Sequence, residues 1–217
     1  MRIHFVLISE GPTDDSLIPH IADLCVKAGA DEATGTAPDL SRLSPPVGHS
    51  LMEKIPVVLA LEPDADIYII HRDADSPDPT QRHQEIGRVV ATCGMLRQWC
   101  PLVPVQETEA WILLDERAIR VVAGRPNGRI ALDLPLPRNL ERLARPKEHL
   151  EAVLLTASES TGRRLYRFRK TLSSQRKRLL QMLPVGGPLL QVPAWVKFRD
   201  SVSAAVQQLQ EAKQGDP

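Results

Sequence analysis

The stretch IHFVLISEGPTD, Ile3 to Asp14, decides the fold. Ile3 to Ile8 is an unbroken aliphatic and aromatic run, which predicts a strand buried on both faces, as in a parallel sheet covered by helices. Gly11 and Pro12 break the run. Thr13 or Asp14 can then cap a helix to about Gly29, in which Leu17, Ile21, Leu24 and Cys25 recur at helical spacing. Glu10 therefore stands in the turn after the first strand, on the carboxyl edge where open α/β sheets bind ligands.

The same pattern recurs twice. Ser50 to Leu61 reads as a helix leading to a second strand, Asp66 to His71, which runs into Arg72-Asp73-Ala74-Asp75 and the loop residues Ser76 to Pro79. Thr80 to Gln98 reads as a helix. Leu102 to Val105 reads as a third short strand, ending at Gln106-Glu107-Thr108-Glu109. Thr34 to Gly48 is rich in Gly, Pro, Ser and Thr and reads as a loop or insertion. Beyond Asp115 the chain reads as interrupted helices. Gly124 to Pro137 suits an insertion or lid, Pro146 begins a helix, Arg163 to Leu183 forms a basic helix, and a last helix runs from Ala194 to about Lys213.

A chain of 217 residues can bury one good core. We read residues 1–122 as an α/β core with an acidic site and residues 123–217 as a basic helical extension packed on it. The longest apolar runs fall far short of the roughly 20 residues a bilayer needs, so no membrane partner is expected. The chain starts straight into a strand without a basic leader, which predicts the absence of a signal peptide and a cytoplasmic location. Cys25, Cys93 and Cys100 are odd in number and lack the spacing of a zinc knuckle or redox pair, as expected of structural thiols.

The formal net charge of zero conceals a polarity along the chain. Met1 to Asp115 carries 18 acidic and 8 basic residues, and Glu116 to Pro217 carries 9 and 19. An acidic half attracts cations and a basic half attracts phosphates, although both can also be solvated surface.

Three strand ends each deliver acid: Glu10, then Asp73 and Asp75, then Glu107 and Glu109. In an extended segment residues two apart point the same way, so Asp73 and Asp75 can aim at one point. Carboxylates gathered without a counter-ion repel, and Mg²⁺ or Mn²⁺, which take oxygen ligands, would relieve that. An isolated Asp-x-Asp is weak evidence, and Glu107, Glu109 and Asp14 can instead serve a helix N-terminus. The combination in order is the stronger signal.

With these residues in place, the chain resembles the Toprim domain shared by topoisomerases, primases, recombination proteins and overcoming-lysogenization-defect nucleases. The resemblance lies in Ser9-Glu10-Gly11-Pro12-Thr13-Asp14 and Asp73-Ala74-Asp75. More narrowly, Val105 to Asp115, Arg145-Pro-Lys-Glu-His-Leu150 and Trp195-Val-Lys-Phe198 resemble a bacterial Toprim-like family of unknown function. The resemblance implies a Toprim-like α/β fold: about four strands in a largely parallel sheet between helices, with a C-terminal helical extension. It further implies a metal-dependent nuclease with Glu10 as general acid, general base or ligand, Asp73 and Asp75 as metal ligands, and Glu107 and Glu109 as further acids. Lys147 matches, weakly, a cation that neutralises the transition state. Proteins of this kind also suggest a role in phage defence beside an ATPase partner. A topoisomerase tyrosine is not expected, since Tyr68 lies within a strand and only Tyr166 remains.

Arg163, Arg164, Arg167, Arg169 and Lys170, followed by Arg176 and Lys177, fit a nucleic-acid-binding face with Tyr166 and Phe168 interleaved for stacking. Leu165, Phe168, Leu172 and Leu179 also follow helical spacing, so the same segment can bury one face. The histidines His20, His49, His71, His83 and His149 form no metal-spaced pair and read as surface or satisfied core groups. Two rivals remain open. One is a catalytically degenerate effector subunit of an ATPase-containing complex. The other is a transferase holding a nucleotide-sugar diphosphate through metal at Asp73 and Asp75.

Overall fold

The computed structural model describes residues 1–183 and 185–214. Four strands, β1 (Arg2–Ile8), β2 (Glu32–Thr36), β3 (Ile67–His71) and β4 (Gln98–Leu102), form an all-parallel sheet in the order β2-β1-β3-β4. The crossovers are α1 (Ile18–Lys27), α2 (Leu51–Leu61) and α3 (Thr80–Thr92). After β4 come α4 (Glu109–Ile112), α5 (Glu116–Val122), α6 (Pro146–Ala157), α7 (Gly162–Arg169), α8 (Leu172–Gln181) and α9 (Pro193–Gln214). Among the described residues no helix is long and apolar enough to cross a membrane.

Strand alternation sorts the core into two layers. Ile3, Phe5 and Leu7, with Ile67, Ile69, Cys100 and Leu102, pack on Ile21 and Leu24 of α1 and on Phe198, Val202 and Val206 of α9. Val6, Ile8, Tyr68 and Ile70 pack on the other side against Ile55 and Val58 of α2 and Ile86 and Val90 of α3. Both faces of β1 and β3 are thus dry, which is why those strands read as continuous apolar runs. The C-terminal helix α9 lies on β4 and α1, and its Trp195 meets Trp111 of α4 edge to face at 5.1 Å. Residues from both ends of the chain therefore share one core.

The structure departs from the sequence reading at four places. Glu32–Thr36, partly assigned above to the loop beginning at Thr34, is a strand pairing in parallel with β1. As an edge strand it exposes alternate residues and carries a glycine, so it lacks the apolar signature of its neighbours. The α3 helix stops at Thr92 rather than Gln98. Gly94, at φ 62°, lets the Met95 N–H reach back to the Val90 carbonyl. The fourth strand consequently begins at Gln98, four residues earlier than Leu102, and tolerates Pro101 because it is an edge strand. Finally, the basic segment is two helices, α7 and α8, separated at Lys170 and Thr171, where the Thr171 hydroxyl donates to the Phe168 carbonyl at 2.7 Å.

Gly35 lies opposite Phe5, and a Cβ built on it would come within 2.2 Å of the tip of the Phe5 ring. Phe5 is fully buried, with no space into which to retreat. Gly35→Val should therefore destabilise the fold by about 1–3 kcal/mol. Urea unfolding would read this as a lowered midpoint, and an unchanged midpoint would mean that β2 contributes little to the sheet.

Candidate functional site

The chain leaves β1 for β2 on one side and returns to β3 on the other, so the strand order reverses between β1 and β3. A crevice opens at such a reversal, outside the carboxyl ends of the strands. Glu10 follows β1 and Arg72 and Asp73 follow β3, and the three meet there. The Asp73 N–H donates to Glu10 Oε2 at 3.3 Å, and Arg72 Nη1 lies 2.7 Å from Glu10 Oε1. Burial pushes the Glu10 carboxyl above its usual value; Asp73 adds to the shift, and Arg72 and His71 oppose it.

Asp73 is held from below. Its Oδ1 accepts from the Thr108 N–H at 3.0 Å and from the Thr108 hydroxyl at 2.9 Å. Behind it stands His71, whose side chain is 0% exposed. Its Nε2 lies 3.0 Å from the Thr108 hydroxyl and 3.6 Å from Asp73 Oδ1, and its Nδ1 lies 3.2 Å from Asp14 Oδ2. The Nδ1 contact pairs His71 with Asp14 as opposite charges. Burial alone would pull the imidazolium down, but Asp14 and Asp73 outweigh it and push it up to about 10. Asp14, read above as a helix cap, instead accepts the Gly11 N–H at 3.0 Å and faces His71.

Asp73 and Asp75 do not converge as an extended backbone would make them. Asp75 adopts φ 52° and Gln106 φ 61°, both in the left-handed region, where the segments after β3 and β4 bond to each other. The Asp75 N–H donates to the Gln106 carbonyl and the Gln106 N–H to the Ser76 carbonyl. Two non-glycine residues held this way cost about 1–3 kcal/mol each, and such strain concentrates at functional sites. Asp75 turns outward, 67% exposed, to pair with Arg82 at 3.1 Å. Arg82 also donates to the Asp73 carbonyl and to Glu85.

The acids after β4 go elsewhere. Glu107 accepts the Lys147 N–H at 2.9 Å, and the Lys147 side chain is exposed. Glu109 pairs with Arg176 of α8 at 3.0 Å, and burial pushes its carboxyl up against the opposing charge of Arg176. Burial also pushes the Cys25 and Cys100 thiols to about 12 and about 11, which leaves neither a nucleophile near neutral pH.

The donor chemistry at this edge suits Mg²⁺ or Mn²⁺, but the arrangement does not. Among the described residues no three His, Cys, Asp or Glu side chains are grouped so as to hold a metal ion. Glu10, Asp75 and Glu109 are each turned to an arginine of the same chain, Asp73 to Thr108 and His71, and Glu107 to a backbone N–H.

No family model, curated protein or solved structure matches the chain. What the site can do must be read from its own geometry. It offers a carboxylate of raised pKa paired with the Arg72 guanidinium, with Arg82 on the neighbouring Asp73 carbonyl and Lys54 on the Glu10 carbonyl. Lys54 is buried, and its ammonium donates to the carbonyls of Ser9 and Glu10 at 2.8 and 3.4 Å. Nε of Arg72 is buried without a hydrogen-bond partner among the described residues.

The basic residues divide by role. Arg163, Arg164, Arg167, Arg169 and Lys170 are exposed on α7 and just after it, as is Lys177 on α8. Lys170 lies over the exposed Tyr166 ring at 4.6 Å. Arg176 instead points into the fold to meet Glu109. Leu165, Phe168 and Leu172 are partly buried and Leu179 is fully so, which gives the segment both an inner and an outer face. The sequence reading gave Arg72, Arg82, Lys54 and Thr108 no role, and it read His71 only as a surface or satisfied core group, of which the structure shows the second. A signal for His71 existed: it ends an all-apolar strand one residue before Arg72-Asp73, a buried position that demands a polar partner.

Proposed function

We propose that the protein hydrolyses phosphodiesters of DNA or RNA as a cytoplasmic, Toprim-like nuclease. The observation that carries this reading is the Glu10 carboxylate, raised in pKa and placed at the strand-order reversal against Arg72. A phosphate competes well for guanidinium groups. Arg72 and Arg82 would bind it, and Glu10 would withdraw the proton of an attacking water whose oxygen bonds to phosphorus as the P–O bond to the leaving strand breaks, the leaving oxygen taking a proton from solvent. A carboxylate nearer neutrality is the better base for that task. Asp73, fixed by Thr108 and His71, would keep the loop after β3 in register with Glu10. The exposed cations of α7 and α8 would carry the flanking strand.

The test is a cleavage series over single- and double-stranded DNA and RNA with Mg²⁺, with Mn²⁺ and with chelator, for wild type, Glu10→Gln and Asp73→Ala. Cleavage lost in both variants is the expected result, and the chelator arm decides whether a divalent ion takes part. A second reading, a degenerate effector subunit, is favoured by the pairing of Glu10, Asp75 and Glu109 with arginines of the same chain. Folded wild-type protein that cuts none of these substrates would put it first.

The outer face makes a separate prediction. Replacing Arg167, Arg169 and Lys170 together by Ala should weaken duplex binding and flatten the log–log salt slope by up to about 2.7, one condensed counterion per lost phosphate contact. Fluorescence anisotropy across a salt series reads both quantities. An unchanged slope in the folded variant would assign this face to another use.

A further inference from the structure

Beside Glu10, on the side away from Arg72, lies a cleft of about 480 Å³. It is enclosed by the turn after β1, the segment from Ala37 to His49 after β2, and Lys54 and Val58 of α2. Its size falls within the range of about 300–1,000 Å³ typical of small-molecule sites. The walls combine two chemistries. Pro12, Leu40, Val47 and Val58 give apolar surface, and His49 gives a ring. Glu10, Asp15 and Asp39 give acceptors, and Lys54 gives a buried donor. An ammonium has three N–H groups, and two of those of Lys54 are taken by the carbonyls of Ser9 and Glu10.

This composition selects the occupant. Three carboxylates against one ammonium repel a phosphate inside the cleft, and the apolar walls disfavour a charged group that cannot be paired. A flat, neutral group with N–H donors and a ring acceptor satisfies both the walls and the polar atoms. We propose that the cleft takes a single unpaired nucleobase bearing an exocyclic amino group, with the adjoining phosphodiester on Arg72. The proposal rests on the nucleic-acid reading above and adds to it a preference for unpaired strands, because a base within a duplex cannot enter. Glu10 links the two halves: its carboxylate lines the cleft and pairs with Arg72.

The experiment uses the full chain and free nucleosides, which carry no phosphate. Saturation-transfer NMR titrations with adenosine, cytidine and uridine would measure binding to wild type and to Val47→Trp, which fills the cleft from a partly exposed position. Ala37→Trp fills it from a second such position should Val47→Trp fail to fold. Adenosine and cytidine should bind, uridine should bind about tenfold or more weakly, and the filled cleft should lose about tenfold or more of the adenosine affinity. Absence of adenosine binding at millimolar concentration, or equal binding by wild type and both folded tryptophan variants, overturns the proposal. Cleavage of nucleic acid without nucleoside binding would overturn the cleft and spare the nuclease. Nucleoside binding by a protein that cuts nothing would keep the cleft and overturn the nuclease.

Discussion

His71→Leu should cost about 3–5 kcal/mol of stability, the range for removing one partner of a buried charge pair. The imidazole is 0% exposed and stands between two carboxylates, Asp14 at 3.2 Å and Asp73 at 3.6 Å. Leucine fills much of the same volume but leaves both acids without their cation. The loss should also carry a pH signature. The imidazole is raised from 6.5 to about 10 on folding, so its stabilisation is complete below the unfolded value and disappears as pH climbs through the folded one. Asp14 works in the opposite sense. Burial would raise its carboxyl, but His71 and the N–H groups of Gly11 and Glu10 outweigh burial and hold it below its ordinary 3.8. Its contribution is present above 3.8 and is lost as pH falls through the depressed folded value. Denaturant unfolding at a series of pH values should show wild-type stability falling between about pH 7 and pH 10. The His71→Leu curve should lack that component. Parallel curves for the two proteins would mean that His71 is neutral in the fold.

The sheet was legible where burial was two-sided. Ile3 to Ile8 and Ile67 to His71 have helices over both faces, so their composition alone marks them as central parallel strands. β2 escaped because an edge strand needs no such composition, and β4 was read four residues late, from Leu102, because Pro101 reads as a breaker until its edge position is known. Glu10 and Asp73 were legible as a pair because both stand one or two residues beyond a buried strand. Their partners were not. Arg72, Arg82 and Arg176 reach the acids, and Lys54 the carbonyls of Ser9 and Glu10, through the tertiary fold, and no local spacing encodes that a carboxylate faces a guanidinium rather than a cation from solution. The Asp73-Ala74-Asp75 spacing misled for a different reason. It aims two side chains together only on an extended backbone, and φ 52° at Asp75 turns the second one out to Arg82.

Those arginines lead to the second large effect. Arg72→Gln with Arg82→Gln removes the in-chain cations from Glu10 and Asp75 while keeping hydrogen-bonding side chains of similar reach. Without metal the double variant should lose about 1–3 kcal/mol, less than a fully buried pair because Arg72 and Glu10 remain 20% and 27% exposed. Its response to Mn²⁺ should run the other way. In the wild type a divalent ion must compete with a guanidinium for each carboxylate. In the double variant Glu10 and Asp73, whose charges already oppose each other, lose that competitor, and a cation that binds only the folded state relieves their repulsion. At about 100 times the dissociation constant such binding adds roughly 2.7 kcal/mol, a rise of about 5–10 °C in melting temperature for a chain of this size. Wild type at the same Mn²⁺ concentration should rise by a small fraction of that. Asp73→Asn placed in the double variant should suppress the response, which ties it to the loop after β3 rather than to acids elsewhere. Equal Mn²⁺ responses in wild type and double variant would show that Arg72 and Arg82 do not compete for the metal's ligands. A larger response in the variant would mean that the acidic edge is a cation site with its counter-ions built into the chain. Any ligand able to draw the arginines away, a phosphate above all, would then raise the site's affinity for metal.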